Sequence, residues 1–254
     1  MSGHSKWSTI KRQKGANDVK RGALFTKLSR DIALAVQQGG GDDPDMNFRL
    51  RLAVDKARSN NMPVDNINRA IKRATGEGGE SMEEFEEVTY EGYGPGGGAI
   101  LLQALTTNRN RTASDVRSTF NKGGGNLGET GCVAWNFESK GVITLEAAFE
   151  QAEEIALIAI DAGADDVKID SALVEIHTSP YELSKVQKQL EEQSVPISTA
   201  EISMIAKSHI ELDSKSAQQT LKLLDALEDL DDAQKVYTNA DFPDEVLEKY
   251  ESLE

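Results

Sequence analysis

Lysine and arginine recur at helical spacing in the first third of this 254-residue chain. Lys20 and Lys27 are seven residues apart, as are Arg49 and Lys56, so each pair shares one helix face. Arg51 and Arg58 line the other flank of the second stretch, and Arg69, Lys72 and Arg73 form a stripe opposite Ile67 and Ile71. No glutamate occurs before position 77, so these faces lack the interleaved carboxylates that would neutralise them. Several cations on one surface suit a polyphosphate, because each neutralised phosphate adds affinity through counterion release. Arg21 is an exception, since the same register turns it toward the apolar stripe. Ahead of these stretches, "GHSKWSTIKRQKG" (3–15) carries Lys6, Lys11, Arg12 and Lys14 and no carboxylate. Trp7 in that arm offers an aromatic face on which a base could stack.

A second basic site, "TNRNRTASDVRSTFNKGGGNLG", lies within an otherwise acidic region. Thr112 is expected to cap a helix, with Asp115 three residues on. Arg109 and Arg111 would then sit beside a helix N-terminus, where free N–H groups and the helix dipole favour an anion. Arg117 and Lys122 carry the positive surface toward the glycine-rich stretch 123–128. A purely structural loop would need the cap and the glycines, but not four cations.

Catalytic chemistry is not expected. The chain has no phosphate-cradling G-x-x-x-x-G-K-[ST], no G-x-S-x-G and no H-E-x-x-H. His4, His177 and His209 are isolated, and Cys132 is the one cysteine, so neither a Cys/His dyad nor a zinc set is visible. "GYGPGGG" contains a formal G-x-G-x-x-G, but a strand pattern follows where a dinucleotide fingerprint requires a helix. A Pro-Gly turn is the expected structure, and no cofactor or metal is expected. Val133, Trp135 and Phe137 alternate on one strand face; that pattern could stack bases, but core packing fits it better.

The elements that would position these residues follow from periodicity and punctuation. Residues from 17 or 18 to the glycines at 39–40, and about 46–59, read as two helices, and "NNMPVD" starts a third that Gly76 stops, each with an apolar stripe. Beyond the linker "GEGGESMEE", strands are expected at 86–91, 99–106 and 132–138, with a helix at 113–122. Residues 141–206 then run β-α-β-β-α-β, the order of a ferredoxin-like unit. A short strand near 208–212, a helix at 215–230 and a strand at 234–239 supply what the 86–138 stretch lacks. The expected fold is therefore α+β and multidomain. A basic arm and helical domain (1–79) precede two ferredoxin-like α/β domains, a discontinuous one (80–138 with 207–254) and an acidic one inserted into it (139–206).

Charge follows the same division. Residues 1–76 hold 15 Lys/Arg against 7 Asp, while the whole chain carries −15. A basic module that seeks polyanions on an acidic body is the physical reading of that split. Mean hydropathy is −0.47, and no apolar run approaches the roughly 18 residues a membrane span needs. The single cysteine fits a reducing cytoplasm, and the N-terminus lacks the apolar stretch of a secretory signal.

Several long stretches together resemble the YebC/PmpR family: "GHSKW", "KRGALFTKL", "GGGDDPDMNFRLRLAVDKARSNNMP", "INRAIKRATG", "YEGYGPGGGAI", "TNRNRT", "GGNLGETG" and "SMIAK". The resemblance spans nearly the whole chain. It implies three domains, with the third inserted into the second, and a DNA-binding transcriptional regulator. The mitochondrial translational activator of cytochrome c oxidase is a relative, so the family also implies an alternative, a ribosome- and ribosomal-RNA-binding translation factor that relieves stalling. A metal-dependent nuclease is a remote third. Because "GHSKW" begins at residue 3, a bacterial cytoplasmic member is expected rather than a mitochondrial precursor. The expected partner is nucleic acid, with the ribosome or other proteins meeting the acidic domain and no membrane contact, in a monomer or weak dimer.

Overall fold

The computed structural model describes Trp7 and residues 18–76, 85–170 and 172–252, without the side chains of 18–21 and Phe149. Helices α1 (Asp18–Gly39), α2 (Phe48–Ser59) and α3 (Val64–Ala74) come first. Their apolar stripes close on one another: Leu28, Ile32 and Val36 of α1 meet Leu50 and Val54 of α2 and Ile67 and Ala70 of α3. Burying such stripes, rather than intrinsic propensity, holds short helices together.

Asn47 sets the corner between α1 and α2. Its Oδ1 accepts from the Leu50 N–H at 3.0 Å, capping α2, while its Nδ2 donates to the carbonyls of Ala35 (2.8 Å) and Gly41 (2.7 Å). The side chain is buried and lies against the end of α1. A Cβ at Gly39 would fall 2.1 Å from Asn47 Oδ1, so the approach requires glycine there.

Next come β1 (Glu86–Tyr93), β2 (Ala99–Thr106), α4 (Arg109–Lys122) and β3 (Asn126–Leu127). They are followed by β4 (Phe137–Glu146), α5 (Phe149–Ala162), β5 (Asp166–Asp170), β6 (Leu173–Thr178), α6 (Leu183–Glu192) and β7 (Thr199–Ala206). The chain finishes with β8 (Ile210–Glu211), α7 (Ser214–Glu228), β9 (Ala233–Thr238), β10 (Ala240–Asp241) and α8 (Asp244–Ser252). The architecture is α+β, with helices first and sheets after, as the sequence leads one to expect.

The first sheet has the order β3-β1-β2-β9 and is antiparallel throughout. One face packs on α4 and α7, through Val116, Phe120, Leu221 and Leu224 against Val88, Ile100, Leu102 and Val236. The second sheet has the order β5-β6-β4-β7, also antiparallel. Together with α5 and α6 it forms the β-α-β-β-α-β run. Its first and last strands pair from Phe137↔Ala206 to Thr144↔Thr199, so this segment enters and leaves at one place. A small cluster of Ala99, Leu101, Tyr237, Val133 and Phe137 joins the two sheets.

Local differences from the expected elements have local causes. The strand expected at 132–138 is a 3-10 turn, Ala134–Asn136, and β4 begins only at Phe137. The buried Glu91 carboxylate is responsible. It accepts from the backbone N–H groups of Gly131 (2.7 Å), Val133 (2.8 Å) and Ala134 (2.7 Å), diverting them from any ladder. Helix α4 starts at Arg109 rather than 113, and its cap is Asn108 rather than Thr112: Asn108 Oδ1 accepts from the Arg111 N–H at 3.1 Å. The glycine-rich turn after β1 is a 3-10 turn, Pro95–Gly97, with Gly96 and Gly97 at φ +82° and +86°, and a strand follows it. Helix α8 was not among the expected elements.

Candidate nucleic-acid interface

Helix α3 turns Ile67, Ala70 and Ala74 inward, and this register carries Arg69, Lys72 and Arg73 to the exposed side. Arg69 and Arg73 also border a cleft of about 580 Å³ between α1 and α3, which Arg30 joins from α1. Phe25, Met62 and Phe85 line its apolar part, and Ser29, Gln37 and Asn66 add polar groups. Arg69 Nη1 lies 3.4 Å from Asn66 Oδ1. Guanidinium groups on a cleft rim present forked donors that match phosphate oxygens in pairs.

Other basic residues of the helical unit serve as struts. Lys27 donates to the main-chain carbonyl of Glu228, at the end of α7. Arg30 donates to the carbonyl of Asp231 and lies 3.3 Å from the Asp232 carboxylate. Lys56 is half-buried and pairs with Asp31 of α1 at 2.8 Å. These contacts tie α2 to α1, and α1 to the turn between α7 and β9. Arg49 remains exposed and donates to Gln38 Oε1 at 2.5 Å. The side chain of Lys20 and the residues Lys6, Lys11, Arg12 and Lys14 lie outside the described residues.

Trp7 requires a correction. It is fully buried in the core of the first sheet, beside α4, α7 and α8, so no face is open for a base. An indole buries a large apolar area, and here that outweighs the pull of its basic neighbours toward solvent.

In the second basic site the two arginines face carboxylates. Arg109 pairs with Glu86 at 3.1 Å, both exposed, and Arg111 Nη2 pairs with Asp232 at 2.8 Å. Asp232 is buried and also accepts from the hydroxyls of Thr112 (2.7 Å) and Thr106 (3.2 Å). Burial pushes the Asp232 carboxyl up, but the Arg111 and Thr112 hydrogen bonds prevail and hold it below the usual carboxylate range. Asp232 thus joins α1 to α4 through Arg30 and Arg111, an arrangement spanning about two hundred residues of sequence that no local pattern reveals. Arg117 and Lys122 are exposed along α4. Arg117 borders a second cleft of about 350 Å³, between α4, β1 and the 127–130 loop.

Of the alternating Val133, Trp135 and Phe137, only the outer two are core, at 1% and 4% exposed; Trp135 is 67% exposed. The missed signal is Glu91, whose buried charge bends the strand into a turn. Among the described residues no group of three or more His, Cys, Asp or Glu is placed to hold a metal ion, and no helix is long and apolar enough to cross a membrane.

Comparison with known proteins gives a consistent result. The model of the TACO1/YebC N-terminal domain matches residues 5–77, and that of the TACO1/YebC second and third domain matches residues 85–240. A protein of Chloroflexus aggregans named "Probable transcriptional regulatory protein" is 56% identical over 254 residues, covering 99% of this chain and all of that one. One of the same description from Dehalococcoides mccartyi is 54% identical over 252 residues, 99% of each chain. The crystal structure of a conserved hypothetical protein from Aquifex aeolicus superposes with a TM-score of 0.80 at 46% identity, covering 89% of this chain and 92% of the other.

Proposed function

Because the chain belongs to the TACO1/YebC family, we propose that it is a cytoplasmic regulator of gene expression. It acts by binding nucleic acid through its helical unit, as a binding protein rather than an enzyme. The observation that carries this reading is the exposed Arg69, Lys72 and Arg73 stripe beside the arginine-bordered cleft. The names of the relatives, probable transcriptional regulatory proteins, make duplex DNA the first target to consider. Lys27, Arg30, Lys56 and Arg111 have structural partners and hold the frame; Arg49, Arg117 and Lys122 extend the contact surface. We assign the domains as 1–79, 80–138 with 207–254, and 139–206, nucleic acid meeting the first and protein partners the acidic third.

Binding of purified protein to promoter duplexes, mixed-sequence duplex and ribosomal RNA tests the reading. Arg69→Glu with Arg73→Glu should weaken binding by at least about tenfold, since both a favourable contact is lost and a repulsion added. Wild-type protein that binds none of these would overturn it. A second reading, a translation factor on structured ribosomal RNA, is favoured by the exposed Trp135, because RNA is recognised largely at unpaired, stackable bases. Preference for ribosomal RNA over both duplexes would select it.

A further inference from the structure

The 3-10 turn carrying Trp135 is held from every side. Beneath it, Val133 and Phe137 are anchored in the core, and Glu91 fixes the N–H groups of Val133 and Ala134. Beside it, Asn136 Oδ1 accepts from the Ser208 N–H (3.0 Å) and hydroxyl (2.8 Å), and Asn136 Nδ2 donates to the Ser208 carbonyl at 3.0 Å. The exposure of Trp135 is therefore built in. Its Nε1 donates to the Cys132 carbonyl at 2.9 Å, and the Tyr93 hydroxyl donates to the same oxygen at 3.0 Å. One carbonyl thus occupies the polar edges of two exposed aromatic side chains, leaving ring faces as what they offer to a ligand.

The surroundings say which ligand. Lys207 is exposed and its Nζ lies 3.3 Å from the Trp135 carbonyl, setting a positive charge against the backbone of the residue that carries the indole. Of the carboxylates around the turn, Glu91 is buried and taken up by three backbone N–H groups, Glu129 is exposed and close enough to act on Cys132, and Glu138 lies 3.8 Å from Lys140. Tyr93 pairs in register with Asn126, in the glycine-rich segment 123–128, so the tyrosine end of the aromatic pair borders a stretch with little side-chain bulk. A protein hot spot is ringed by residues that exclude water. Exposed aromatic faces with a cation close by are the arrangement that takes a base and its phosphate.

We propose that Trp135, with Tyr93 and Lys207, forms a stacking site for one unpaired base of a bound nucleic-acid strand. This site rests on the nucleic-acid reading and adds a second contact, on the first sheet, to the basic face of α3. The test uses the whole protein, short single-stranded RNA and DNA, and blunt duplexes. Tryptophan fluorescence is read alongside anisotropy of the labelled strand, the buried Trp7 supplying a constant background. Single strands should quench the emission that W135F lacks. W135A should bind single strands roughly 5- to 100-fold more weakly, with duplex affinity unchanged and W135F intermediate. The Arg69→Glu, Arg73→Glu protein should bind more weakly yet show the same quench at saturation.

Single strands that bind without quenching, and bind W135A as tightly as wild type, would overturn the stacking site and leave the α3 interface standing. An equal loss on duplexes would also overturn it. If W135A bound extracted ribosomal RNA normally but lost intact ribosomal particles, a protein would be the partner of Trp135 and the proposal would be wrong. Failure of wild-type protein to bind any strand or duplex would overturn the nucleic-acid reading itself. Trp135 is exposed, so thermal melting of W135A and W135F should match wild type and remove misfolding as an explanation.

Discussion

Two buried carboxylates, Glu91 and Asp232, decide more at the residue scale than any of the surface lysines. Burial alone would raise the Glu91 carboxyl, but three backbone N–H groups outweigh that and hold it low. Asp232 is held low by Arg111 and its threonine neighbours despite burial. With folded values below unfolded ones, the unfolded chain binds more protons as pH falls, so both groups stabilise the fold at neutral pH and lose that contribution below about pH 4. Glu91→Gln replaces an acceptor with an amide donor facing backbone N–H groups. It should cost about 1–3 kcal/mol at neutral pH and make stability fall less steeply in acid. Chemical denaturation at pH 7 and pH 3.5 checks both; an acid limb as steep as wild type would contradict it. Asn47 is the polar counterpart in the helical unit. Asn47→Ala removes a cap, a bond to α1 at Ala35 and a bond to the following loop at Gly41, for a predicted loss of about 2 kcal/mol read as a lower denaturation midpoint.

At the scale of elements, what the sequence made legible was whatever one face of one element determines. The apolar stripes of α1, α2 and α3, the alternation at the start of β1 and the apolar run of β2 needed no partner to be seen. The errors arose where a distant group intervened. Thr112 and Asn108 are both good caps by type, but the Thr112 hydroxyl is drawn to Asp232 and Asn108 takes the cap. The alternation at Val133, Trp135 and Phe137 is genuine, yet Glu91 turns that segment into a 3-10 turn and points its tryptophan outward. Trp7 belongs to a basic stretch by sequence and to the core of the first sheet by packing. The candidate site was legible to the same extent. The α3 stripe could be read from its own register, whereas the struts from Lys27, Arg30 and Arg111 depend on carbonyls and a carboxylate near the other end of the chain.

Over the whole molecule, the charge division and the architecture suggest a division of labour. The segment 139–206 carries 13 carboxylates against 4 lysines. Its ends meet, since Glu138 pairs with Ile205 and the Lys207 N–H donates to the Asn136 carbonyl at 2.7 Å. It can therefore be excised with a short link, though this removes Met204 and Ala206 from the cluster on Leu101 and Tyr237 and the Glu201 partner of Lys235. The shortened protein should bind mixed-sequence duplex more tightly at low salt, because a negative body no longer repels it, and should lose discrimination between targets. Unchanged selectivity together with unchanged cellular activity would remove any role for the acidic segment in partner choice. The central claim, that the outer face of α3 meets phosphates, is tested most directly by the salt dependence of binding. The logarithm of the affinity for duplex DNA should fall linearly with the logarithm of salt concentration, and Arg69→Glu with Arg73→Glu should make that slope shallower by about 2. A double variant with the wild-type slope would show that nucleic acid, if bound, is held elsewhere.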